Sequence, residues 1–269
     1  MQLHWHTEPF LLIAILSISW FYAIWTGPLR HRWDPSRLAT GLRLKAVSFH
    51  SGVLVIYLAV GSPIDQLGED YLFFMHMVQH MLLIYVVPVL MYLGIPCALM
   101  DHFLKSQTVR GVLKPLVHPV TAGMAFSVIY TGWHIPLLYE LALQDKAIHI
   151  LEHATMFLTA VLMWWAILSP SRRYLPPASY GVQILYAFLL MVGQLPVFAF
   201  LSFANVAIYE TYVWAPRVIP GLDPLNDQIL GGIIMKIFNM VVSLSIISTC
   251  FYQWASKDRQ MMELELEKT

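Results

Sequence analysis

Two His-x-x-x-His pairs, His76/His80 and His149/His153, stand in long apolar stretches of this chain, and a fifth histidine, His134, lies in a third such stretch between them. On an α-helix, residues i and i+4 share a face with Cβ atoms about 5–6 Å apart. Each pair can therefore turn two imidazoles toward one ion at roughly 2 Å per bond. Ionisable side chains in hydrocarbon are costly and usually face the protein interior with a partner, so five of them define a candidate metal site. Imidazole suits copper, zinc, iron and nickel. Met77, Met81 and Met156 add soft thioethers, which tilt the expectation toward Cu(I) and leave zinc as the second candidate. At helical spacing, Gln79 shares a face with His76 and His80, and Glu152 and Met156 share one with His149 and His153. These three, with Lys236 of a later apolar stretch, are expected to surround the ligands, Gln79 and Glu152 fixing imidazole tautomers.

Other readings of the same residues stay open. Membrane histidines also serve as plain interhelical hydrogen-bond donors, which suffices for His50. Lys236 and Glu152 can form a stabilising ion pair, and methionine is commonly core filler. His149-Ile150-Leu151-Glu152-His153 also spells H-x-x-E-H, the signature of inverted zinc proteases in which the glutamate is the general base. A catalytic zinc needs a third protein ligand and an open position, whereas the further candidates here are more histidines, a set suited to holding a metal. Haem held by two histidines is a further alternative, without the usual paired spacing on one helix. His4 and His6 form a weak external pair.

The elements that must position these groups are membrane-spanning. The chain has 269 residues, 58% hydrophobic and 12% charged, with mean hydropathy +0.63; a soluble domain carries about twice that charge fraction. Sixteen acids balance sixteen bases, which gives no footing for a nucleic-acid partner. Two cysteines, Cys97 and Cys250, form no framework. Seven apolar segments can each cross ~30 Å of hydrocarbon: approximately 9–26, 44–61, 71–93, 119–139, 147–168, 182–208 and 229–254. The first is expected to be a retained helix, not a signal peptide. Pro88, Pro136 and Pro196 should kink their spans. The expected fold is all-α, a polytopic membrane protein whose single domain, 1–269, is a seven-helix transmembrane bundle.

Lys and Arg set the orientation. Thirteen fall in the first, third and fifth loops and the C-terminal tail, against Lys146 and Arg217 on the other side, with Lys236 inside the last span. The N-terminus is expected outside and the C-terminus in the cytoplasm. At 1.5 Å per residue, the five histidines then share the outer third of the bilayer. Asp227 and Glu69 are expected at the outer mouth, where they would attract cations.

Four stretches, in order, resemble one family. They are His76-Met77-Val78-Gln79-His80-Met81-Leu82-Leu83 with Pro88 and Leu93-Gly94-Ile95-Pro96; Trp133-His134-Ile135-Pro136 with Leu138-Tyr139; His149 to His153 with Phe157 and Trp164-Trp165; and Asp227-Gln228-Ile229-Leu230-Gly231-Gly232 with Met235. Together they resemble the CtaG family of caa3-type cytochrome c oxidase assembly factors over about residues 70–240, with Lys236 standing where many members have an aromatic. The resemblance implies a seven-helix protein of the bacterial cytoplasmic membrane. It would help insert copper into the histidine-ligated CuB centre of a haem–copper oxidase, with the oxidase catalytic subunit and an extracytoplasmic copper donor as partners. The ligand assignment rests on spacing and depth: His76, His80, His149 and His153 as primary ligands, and His134 as a further ligand or transfer position. A carrier and not an enzyme is expected, with an intramembrane metallopeptidase, a haem-binding protein or a plain scaffold as alternatives.

Overall fold

The computed structural model describes Trp5 and residues 9–266; the His4/His6 pair lies outside them. Twelve α-helices follow one another among the described residues. They are α1 (Pro9–Thr26), α2 (Leu42–Val60), α3 (Pro63–Asp70), α4 (Phe73–Gly94), α5 (Cys97–Phe103), α6 (Gln107–Leu116), α7 (Pro119–Trp133), α8 (Pro136–Gln144), α9 (Lys146–Leu168), α10 (Tyr180–Ser202), α11 (Glu210–Trp214) and α12 (Pro224–Leu266). Six of them are long and apolar enough to cross a membrane, or seven if α6 and α7, bent by 60° at their junction, make one span. The chain is a multi-pass, all-helical membrane protein.

Several boundaries are set by local chemistry. Pro63, Pro119 and Pro136 each open a helix, where a missing N–H costs nothing, and the residue before each is extended. Asp145 caps α9, accepting from the backbone N–H of Ala147 at 2.8 Å and Ile148 at 3.1 Å. That fixes the first turn, in which His149 sits. Pro136 has a larger consequence than the expected kink. Its ring forces Ile135 out of the helical region, α7 stops at Trp133, and the expected span 119–139 becomes two helices with His134 at the break. The expected 182–208 span ends early, at Ser202, and the last one is part of a 43-residue helix that runs well past residue 254.

Helix α4 is the centre of the molecule. In its apolar stretch 61% of residues are buried, against 6% in α1, and α2, α3, α9 and α12 all pack on it. Its middle widens into one π turn over Leu82–Val86, with Val87 N–H donating to Leu82 O. The turn precedes Pro88, which has no N–H to give the Ile84 carbonyl four residues back. The Trp164 indole Nε1–H of α9 donates to that carbonyl at 2.9 Å instead, a bond worth on the order of 1 kcal/mol that also locks α9 against α4. A Cβ on Gly231 would lie 2.5 Å from the Phe73 ring, so this glycine lets α12 close on the start of α4. Asp227, expected at an open mouth, is fully buried. Its carboxylate accepts from the backbone N–H of Phe73 at 2.9 Å and Phe74 at 3.0 Å, and so caps α4 from another helix.

Candidate metal centre

The first turns of α4 and α9 meet side by side, and the break after α7 closes over them. His76, His80, His134 and Glu152 are almost completely buried, and His149 nearly so. Ligand-capable atoms of His76, His149, Glu152 and His153 all lie within 4.8 Å of one another. His80 adjoins them, with its Nε2 2.9 Å from His76 Nε2 and its ring centroid 5.2 Å from that of His153. His134 stands behind His80, with ring centroids 6.2 Å apart. All five histidines singled out by spacing therefore converge. Glu152 is not peripheral: its Oε1 lies 3.5 Å from His80 Nε2 and 3.8 Å from His76 Nε2.

Several protons can be assigned from partners. The Tyr130 carbonyl can only accept, so His134 Nδ1–H donates to it at 2.7 Å and Nε2 carries a free lone pair. His149 Nδ1 sits 2.5 Å from Glu69 Oε1, which leaves its Nε2 the inward-facing atom. A carboxylate or carbonyl on the outer imidazole nitrogen is the arrangement that orients metal-binding histidines. Among the described residues, several buried atoms of the cluster have no hydrogen-bond partner: Nε2 of His134, His149 and His153, Nδ1 of His76 and His80, and both carboxylate oxygens of Glu152. Buried polar groups are normally satisfied, and a buried carboxylate without a cation is expensive. A donor set of imidazole lone pairs around one carboxylate fits a divalent or monovalent transition-metal ion.

Three expected neighbours lie elsewhere. Gln79 is fully buried but turns from the imidazoles, and its Nε2–H donates to Asp65 Oδ1 at 2.5 Å. Its i+3 relation to His76 put it on the correct helix, but Asp65 of α3 captured its amide. Lys236 points to the Met191 carbonyl at 3.5 Å, and no Lys236–Glu152 ion pair exists among the described residues. α12 presents to the cluster side the face carrying Gly231, Met235 and Asn239, and Lys236 falls beside that face, half-buried. Met156 is buried in the main apolar core with Met77 and Met81. His50 makes a local bond, Nδ1 to the Ala46 carbonyl at 2.8 Å, away from the site.

Helix α3 contributes what spacing within the apolar spans did not suggest. Asp65 and Glu69 lie one turn apart on it, and α3 packs so close to α4 that a Cβ on Gly68 would sit 3.0 Å from the His76 backbone. The signal was present in Ser62-Pro63, a cap followed by a helix-opening proline, with two acids at i and i+4. A cavity of about 420 Å³ borders this corner, lined by Asp65, Glu69, His149 and His153 on one side and by Phe10, Leu11 and Ile18 of α1 on the other. It reaches the cluster from the loosely packed α1 side.

Burial, reinforced by the neighbouring Glu69 charge, pushes the Asp65 carboxyl up to about 7, against the pull of His149 and Gln79. The folded protein thus holds this proton more tightly than the unfolded chain, whose aspartate titrates near its ordinary 3.8. Between pH 4 and 7 the native state binds more protons, so stability falls as pH rises through that window. Asp65→Asn keeps an acceptor for Gln79 but removes the titration. Thermal unfolding in detergent should then show a flatter pH profile and a higher midpoint at pH 8 than wild type; an unchanged slope would count against a raised Asp65.

Residues 20–257 match the family described as cytochrome c oxidase caa3 assembly factor. Two curated relatives, an uncharacterized protein of Mycobacterium bovis and one of Mycobacterium tuberculosis, are each 26% identical over 295 residues. The match covers 97% of this chain and 41% of either relative, so the chain spans about two fifths of their length. No solved structure matches it. With the match running through the helices that carry all five histidines, the chain belongs to the caa3-type cytochrome c oxidase assembly factors, the CtaG family.

Proposed function

We propose that this protein is a copper-handling assembly factor that helps load the CuB centre of a haem–copper oxidase, with copper as its cargo. The carrying observation is the convergence of four buried imidazoles, the part-buried His153 and one buried carboxylate, each with a side-chain atom that has no hydrogen-bond partner among the described residues. His76, His149, His153 and Glu152 would hold the ion, and His80 and His134 extend the donor set along one line for ligand-by-ligand exchange. Glu69 orients His149 through its outer nitrogen. With the N-terminus outside and the C-terminus in the cytoplasm of a bacterial cell, the cluster falls in the outer third of the membrane, at the depth of CuB. The oxidase catalytic subunit would receive the ion and an extracytoplasmic donor would supply it. Cu(I) is the favoured state.

The zinc-peptidase reading assigns Glu152 to proton transfer and leaves it outside the ligand set. Its place among three histidine ligand atoms argues for ligation instead. The two readings separate in Glu152→Gln. A carrier loses part of its copper affinity, while a peptidase keeps its zinc and loses cleavage. The direct test is oxidase maturation in cells lacking the protein. Purified oxidase should retain haem but lack CuB copper, and the wild-type gene should restore it. Full CuB occupancy in the deletion strain would end the proposal.

A further inference from the structure

A cavity of about 830 Å³ lies at the opposite end of α4 and α9 from the histidines and plays no part in the proposed copper chemistry. It is a groove between the α4–α9 pair and α12, floored by Val86, Leu90, Ile167, Val242 and Ile246. Its deep polar atoms are already engaged. The Tyr85 hydroxyl accepts from Asn239 and Gln194, Cys250 donates to Gln183, Gln183 donates to Ala178 O, and Ser245 donates to Val241 O. At the rim stand Arg172 and Lys257, both exposed and, among the described residues, without a carboxylate or carbonyl partner. The groove is thus mainly apolar and cationic at one end.

We propose that this groove binds one anionic phospholipid, its acyl chains along α12 and its phosphate on Arg172 and Lys257. The dimensions fit. From Val241 to Lys257, α12 rises ~24 Å at 1.5 Å per residue, about half of a ~40–45 Å bilayer with headgroups included. Basic pockets between membrane helices at the cytoplasmic boundary recognise anionic headgroups, and a guanidinium with an ammonium offers charge-assisted bonds that a choline headgroup would oppose by its own positive charge. No histidine lines the groove, and the polar groups of Tyr85, Gln183 and Cys250 in it are already bonded within the protein, so acyl chains suit its floor better than a polar body does.

The test is native mass spectrometry of the purified full chain titrated with phosphatidylglycerol or phosphatidylcholine, with and without inorganic phosphate. Wild type should hold one phosphatidylglycerol in preference to phosphatidylcholine, and phosphate should not displace it. Arg172→Gln/Lys257→Gln should weaken phosphatidylglycerol about 10- to 30-fold, the contribution of two cations at a membrane surface, and leave phosphatidylcholine unchanged. Thr249→Trp, which fills the groove from an exposed lining position and keeps both charges, should abolish the bound lipid. Equal binding of the two lipids, or retention of phosphatidylglycerol in both variants, would overturn the proposal. Displacement by phosphate alone would also overturn it, by reducing the site to a rim anion.

Discussion

Replacing His76 and His149 together with alanine is expected to strip the protein of copper. One residue comes from each of the two helices that meet at the cluster, and each has a buried ring nitrogen without a hydrogen-bond partner among the described residues. Loss of an orienting group outside the ligands typically costs 10–100-fold in metal affinity. Removal of two ligand imidazoles should therefore weaken binding by more than ~100-fold. The measurement is metal per protein by elemental mass spectrometry after copper supplementation and reduction, with far-UV circular dichroism to confirm that both proteins are folded. Wild type should carry copper in stoichiometric amount and the variant less than a tenth of it. Zinc in place of copper would revive the peptidase reading, and no metal in either protein would sink the site.

Asp227→Ala is the substitution expected to damage the fold most. The carboxylate is completely buried and accepts two backbone hydrogen bonds at the start of α4, three residues before His76. Hydrogen bonds to a charged group contribute about 1.5–3 kcal/mol each, and their loss leaves donors unpaired in a buried place. The expected cost is ~3–5 kcal/mol, a fall in unfolding midpoint of roughly 10 °C for a chain of this length. Asp227→Asn retains an acceptor without the charge that complements the helix N-terminus, and should fall between the two. Copper affinity should drop in the same order, because the register of α4 sets the place of His76 and His80. A normal midpoint in Asp227→Ala would show that the cap is dispensable.

The contrast between Asp227 and Glu69 shows how far the chain could be read without its fold. Both are acids at predicted span ends, and both were expected at an open mouth. Glu69 lies there and holds His149, whereas Asp227 is turned inward to cap a helix that begins more than 150 residues earlier. Sequence gives the depth of a residue along its own helix but not the rotation of that helix about its neighbours. The same gap explains Lys236 and Gln79. Each sits at a suitable height, yet the Lys236 ammonium faces Met191 and the Gln79 amide faces α3. The length of the fourth span failed for a local reason: a proline ends a helix with more authority than hydrophobicity can continue it.

The i+4 spacing of His76/His80 and of His149/His153 needs nothing but the α-helix to put each pair on one face, and hydrophobic length alone requires the helices to be membrane spans. Those facts were determined by the sequence. Packing alone decided that the two faces look at each other, that Glu152 stands among the imidazoles, and that α3 comes close enough at Gly68 to bring Asp65 and Glu69 to the site. Helix periodicity is a property of neighbours in the chain, whereas the meeting of α3, α4, α9 and the α7 break depends on contacts between different helices, from Gly68 against His76 to Glu69 against His149, 80 positions apart. No local pattern encodes those contacts.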